Sequence, residues 1–84
     1  MILVFHKDFK KKYQKLPPKI VKKLDDRLRI FKEDEFDPVL NNHALKGKWL
    51  VYRSLNVTGD IRAIFKRDLK CAIFVVIDSH GNLY

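Results

Sequence analysis

Cysteine is nearly absent from this 84-residue chain: Cys71 stands alone. One thiol forms no internal disulfide, which excludes a disulfide-stapled scaffold, and it is too few for a cysteine-based zinc site. Glycine and proline number three each, so collagen-like and low-complexity architectures are excluded. Long hydrophobic runs are missing too. The longest, Met1–Phe5 and Ala72–Ile77, are too short to span a bilayer or to form a secretory core segment. The expectation is a soluble, cytoplasmic chain with no membrane partner. Acid is scarce: ten Asp and Glu stand against eighteen Lys and Arg, a formal net charge of +8.

What remains is an ordinary globular composition, 46% hydrophobic and 33% charged, and enough chain for one small domain spanning residues 1–84. The excess of cations favours phosphate-bearing or otherwise anionic partners. It is unevenly spread. Residues 7–23 carry eight lysines against the single acid Asp8, whereas the acids of the first half gather between Asp25 and Asp37. The plain alternative for those lysines is a solvated face.

Ile2–Phe5 reads as a strand, β-branched and aromatic. Asp8 is placed to cap a helix whose apolar stripe is Phe5, Phe9, Tyr13 and Leu16. Pro17-Pro18 ends it, and Pro18 fits the first turn of a second helix with Ile20/Val21, Leu24, Leu28 and Phe31 inward. Glu33–Asp37 and Pro38 close that helix, and Val39–Lys48 reads as a polar connector. The period then changes to two, which predicts strands at Trp49–Leu55, Ile61–Phe65 and Cys71–Ile77. Turns are predicted at Asn56–Asp60 and Lys66–Lys70, and a break at Asp78–Asn82. The order β-α-α-β-β-β predicts an α+β domain, an N-terminal strand and helical hairpin packed on a small antiparallel β-meander. The first strand is expected beside the last, in a direction the sequence leaves open.

No phosphate-binding loop, dinucleotide fingerprint or His-Glu-x-x-His is present. His6, His43 and His80 are far apart, so neither a metal nor any other cofactor is expected. Cys71 opens an apolar strand and reads as a small hydrophobe. His6 is assigned no chemistry. The informative residues follow Asn42. His43, Lys46 and Lys48 sit in the connector, Arg53 and Arg62 on neighbouring strands, Asp60 in the turn between them, and His80 and Tyr84 at the end. Such a set suits metal-independent RNA cleavage. A base takes the ribose 2′ proton, an acid protonates the leaving 5′-oxygen, and cations stabilise the phosphorane. Plainer readings stand beside it: Arg53 paired with Asp60, Trp49 as packing, and Tyr52 as a half-buried strand aromatic rather than an RNA contact.

The stretch from His43 through Tyr52-Arg53-Ser54 to Gly59-Asp60-Ile61-Arg62-Ala63-Ile64 resembles the RelE/ParE toxin superfamily, and its YafQ-like branch in particular. The ending Asp78-Ser79-His80-Gly81-Asn82-Leu83-Tyr84 is similar to that branch's Gly-Thr-His-Ser-x-Leu-Tyr/Phe terminus. The resemblance implies a microbial RNase-like fold, cleavage of mRNA in the ribosomal A site, and a cognate antitoxin with an acidic, partly disordered segment. It places the branch's loop histidine on His43, its turn aspartate on Asp60, its arginine on Arg62, and its terminal histidine and aromatic on His80 and Tyr84. His80 is then the general acid, Asp60 with His43 the group accepting the 2′ proton, Arg53 and Arg62 the cations, and Tyr84 a group that orients or stacks on the substrate base. Lys46, Lys48 and Tyr52 are candidate RNA contacts. Two positions depart from the pattern: Val76 stands where a basic residue is frequent, and Asn56 where some members have histidine. The alternatives are a ParE-type gyrase poison, which needs no acid–base pair, and a simple basic RNA-binding domain.

Overall fold

The computed structural model describes residues 1–84. Strand β1 (Ile2–Phe5) leads into α1 (Lys7–Lys15) and α2 (Pro18–Glu33). Then come β2 (His43–Ala44), β3 (Arg53–Asn56), β4 (Ile61–Asp68), β5 (Cys71–Ser79) and a final helical turn, α3 (His80–Leu83). The five strands form one mixed sheet in the order β1-β5-β4-β3-β2. β2 to β5 are antiparallel neighbours, and β1 lies parallel to β5. β5 is therefore an interior strand paired on both sides, as its nearly continuous apolar run predicts, although β4 is the middle one.

The helical hairpin forms where the proline pair predicts it. α1 ends at Lys15, and Pro18 opens α2 at a position where its missing N–H costs nothing. The Tyr13 hydroxyl donates to Asp25 Oδ1 at 2.9 Å and ties the two helices together. Accepting that bond strengthens with the carboxylate charge, and the interaction raises the Tyr13 pKa. Phe9, Leu24 and Phe31 from the helices meet Leu55, Ala63, Phe65, Phe74 and Ile77 from the sheet in one buried cluster. Phe31 lies edge-on to both Phe65 and Phe74, at ring separations of 5.0 and 5.6 Å. Edge-to-face pairs add to simple burial because the ring quadrupoles are complementary.

Four local expectations change. The N-cap of α1 is His6, whose Nδ1 accepts the Asp8 N–H at 3.1 Å; Asp8 lies within the first turn. An imidazole nitrogen satisfies the orphan donor as well as the expected carboxylate. The connector contributes a two-residue strand, His43–Ala44, so the antiparallel part has four strands rather than three. Trp49–Tyr52 is not strand. Gly47–Trp49 forms a 3₁₀ turn, Leu50 N–H bonds the Gly47 carbonyl, Tyr52 N–H bonds that of Trp49, and Val51 takes a left-handed φ of 70°. Its alternating large residues imitate a strand, but the backbone bonds close locally and Leu50 and Val51 stay exposed. Finally, β4 runs through Lys66–Asp68, leaving a tight turn at Leu69-Lys70. Arg67 holds that turn: it donates to Glu35 Oε2 at 2.8 Å and to the carbonyls of Leu69 and Cys71. β5 likewise continues through Asp78 and Ser79.

Candidate active site

Residues opposite one another in an antiparallel ladder share a face of the sheet. The rows Leu55–Ala63–Ile77 and Phe65–Phe74 face the helices and supply the core. The rows His43–Ser54–Ile64–Val76 and Asn56–Arg62–Asp78 therefore occupy the other face. An extra residue, Val75, bulges from β5 between Phe74 and Val76 opposite the Phe65–Ile64 step. It keeps Ile77 on the core face while the strand bends.

On this second face an open cleft of about 380 Å³ is lined by Asn41, His43, Leu45, Arg62, His80 and Tyr84. Four candidate residues thus converge from β2, β4 and the chain's end. His43 Nδ1 lies 2.7 Å from the Asn41 carbonyl. A carbonyl oxygen only accepts, so Nδ1 carries the proton and neutral His43 keeps Nε2 as a free acceptor. The carbonyl is aimed by Asn41 itself, which caps the preceding turn with a left-handed φ of 46°. Asparagine tolerates that conformation better than most residues. Asn41 and Leu45 belong to the cleft and were missed by sequence reasoning; the Asn41-Asn42 pair before His43 was the signal for the first.

Arg62 bonds the carbonyls of Thr58 at 2.9 Å and Ile61 at 3.3 Å through Nη1, leaving Nε and Nη2 without a protein acceptor. His80 is exposed, and its ring stands 4.7 Å from that of Tyr84 one turn later. Its backbone N–H donates to the Asp60 carbonyl at 2.8 Å. Asp60 therefore enters the site through its backbone; its side chain does not line the cleft.

The end of the chain is pinned at several points. Ser79 Oγ accepts the Asn82 N–H, and Asp78 Oδ1 accepts from Ser79 N–H at 2.8 Å and Asn82 Nδ2 at 3.0 Å. Those bonds to the charged form, the side-chain one first, hold the Asp78 carboxyl below its usual range. Leu83 is buried, and its carbonyl accepts the Trp49 indole N–H at 3.1 Å. Trp49 is thus a packing residue that fastens α3, with Tyr52 edge-on to it at 5.7 Å.

The other candidates lie elsewhere. Arg53 does not pair with Asp60. Its Nε donates to Asn42 Oδ1 at 2.8 Å and its guanidinium lies 5.7 Å from the Phe36 ring, on the core-facing row. Lys46 and Lys48 are exposed beside the cleft strand, with Lys48 Nζ 5.9 Å from the Trp49 ring. Val76 leaves an apolar side chain in the His43 row, so Arg62 is the one arginine lining the cleft. No group of three or more His, Cys, Asp and Glu residues converges to hold a metal, and no helix is long and apolar enough to cross a membrane.

No protein-family model and no curated protein matches the chain. Solved structures do. Escherichia coli YafQ is 23% identical, with 98% of this chain and 96% of that one covered at a TM-score of 0.79. A conserved hypothetical protein of Helicobacter pylori is 26% identical over 100% and 99% at 0.78. A YoeB/ParE toxin from Agrobacterium tumefaciens is 22% identical over 95% and 99% at 0.78. YafQ is also known in complex with DinJ, a structure that superposes at 0.75 with 20% identity over 98% and 96%. The chain has the fold of the YoeB/ParE and YafQ toxins, as its sequence resemblance implied.

Proposed function

We propose that this chain is the toxin of a toxin–antitoxin module and acts as an endoribonuclease on mRNA in the ribosomal A site. The observation that carries this reading is the convergence of His43, Arg62, His80 and Tyr84 on one open cleft. In the mechanism, His43 Nε2 takes the 2′-hydroxyl proton. The freed oxygen attacks the adjacent phosphate, and His80 as imidazolium protonates the departing 5′-oxygen. The products are a 2′,3′-cyclic phosphate and a 5′-hydroxyl. Arg62 donates its unused N–H groups to the phosphorane, where the negative charge accumulates. Tyr84 holds the substrate base and, by its ring contact, the His80 imidazole. Asp60 positions His80 through its carbonyl, and Arg53 braces β2 through Asn42 rather than touching substrate. The partner is a cognate antitoxin, a reading supported by the YafQ–DinJ complex.

Induced expression without antitoxin, with mRNA 5′ ends mapped, tests the proposal. Cuts within codons of translated messages are expected. Intact mRNA with a supercoiling defect would instead establish a gyrase poison.

A further inference from the structure

Behind the β3–β4 turn, on the helix side, the surface changes character. Lys19, Lys22, Lys23 and Arg27 of α2 face Thr58 and Gly59 across two adjoining troughs. Lys23 and Thr58 line both. The one acid there, Asp26, is already engaged by Arg27 Nη1 and Arg29 Nη2, each at 3.0 Å. Lys19, Lys22 and Lys23 enter no ion pair. The side chain of Arg27 is only 16% exposed, and its Nε has no acceptor in the protein. Lys19, Lys23 and Arg27 recur about once per turn, rising about 6 Å at each step along one helix face, with the Arg27 charge shared with Asp26.

The turn that lines this trough also holds two residues of the cleft, since the Thr58 carbonyl receives Arg62 Nη1 and the Asp60 carbonyl receives the His80 N–H. Thr58 Oγ1 accepts the N–H groups of Asp60 and Ile61 within the turn. We infer that the trough is a second binding site for the RNA backbone, holding phosphates of nucleotides that flank the scissile one as the strand passes around the β3–β4 turn. This rests on the nuclease reading of the cleft. RNA fits better than an acidic peptide because the turn that lines the trough is hydrogen-bonded to Arg62 and His80 of the cleft, and because cations spaced along a helix face suit a backbone with one charge per residue.

The test compares binding of labelled single-stranded RNAs of three and ten nucleotides by the purified protein and by its Lys19→Gln/Lys22→Gln/Lys23→Gln variant, with thermal unfolding as a folding control. The longer RNA should bind the parent more tightly. The variant should lose that advantage while binding the trinucleotide as before. Removing three phosphate contacts should make its plot of log affinity against log salt shallower by about 2, so affinity for the ten-mer falls about 20-fold less between 50 and 200 mM salt. A length advantage that survives in the variant overturns the inference. So does loss of poly-glutamate peptide binding with RNA binding unchanged, which would assign the trough to an acidic protein segment. If length-dependent RNA binding behaves as expected but the parent cuts no mRNA, the nuclease reading fails and the trough stands.

Discussion

The two faces of the sheet differ in how they are held. The helix-facing side is closed by aromatic packing: Phe9, Phe31, Phe65 and Phe74 are almost wholly buried in one cluster. The other side has no aromatic cluster, only Ser54 and Ile64 buried along its middle row. His43, His80 and Tyr84 are exposed, Arg62 is half-buried, and the site is aimed by a few hydrogen bonds: His43 to the Asn41 carbonyl, the His80 N–H to the Asp60 carbonyl, and the Trp49 indole to the Leu83 carbonyl. Stability and chemistry are thus separated across one layer of backbone. Alternate residues of the same strand serve different ends, as Ala63 and Arg62 do on β4.

The comparison breaks most visibly at Phe74. Truncating it to Ala should cost about 3–5 kcal/mol in urea unfolding, against a total of roughly 4–13 kcal/mol for a domain of this size. A cost below about 1 kcal/mol would mean that the ring cluster is not what holds the sheet to the helices. His80→Ala is the mirror experiment. Cleavage on programmed ribosomes should slow by about 10²–10⁴-fold, while unfolding stability stays within about 0.5 kcal/mol. Cleavage at the parental rate would make His80 a structural end-of-strand residue.

Trp49→Phe probes the boundary between the faces. It removes one hydrogen bond, worth about 0.5–1.5 kcal/mol, and leaves the Leu83 carbonyl unpaired. Hydrogen exchange should quicken in residues 80–84 and leave β4 and β5 protected. Uniform acceleration would show that the C-terminal turn is not an independent unit.

The smallest effect expected is an acid one. Because folding lowers the Asp78 pKa, its contribution is complete above the ordinary carboxylate range and is lost as pH falls through the depressed folded value. The fluorescence of Trp49, the one tryptophan, should therefore report loosening of the C-terminal turn on acidification. Asp78→Asn should remove that transition; an unchanged acid profile in the variant would assign it to another carboxylate.

Local rules determined much of this protein. The proline pair, the apolar stripes of α1 and α2, the turn at Asn56–Asp60 and the unbroken run of β5 follow from φ restriction, side-chain period and hydropathy. These act between near neighbours and are legible in the chain. His43, Arg62, His80 and Tyr84 were likewise identified as candidates by their chemistry and by the resemblance of their motifs. Their meeting, and the departures from expectation, belong to the tertiary structure. The parallel seat of β1 and the two-residue strand at His43 depend on pairings between segments distant in sequence. So does the removal of Arg53 from the cleft, because a strand's period of two assigns a side chain to a face only once the register is fixed. Asp60 is the sharpest case. Its side-chain chemistry suggested a base, yet it reaches His80 through a backbone carbonyl. Every residue but proline offers the same carbonyl and N–H pair, so only the folded arrangement decides which of them meet.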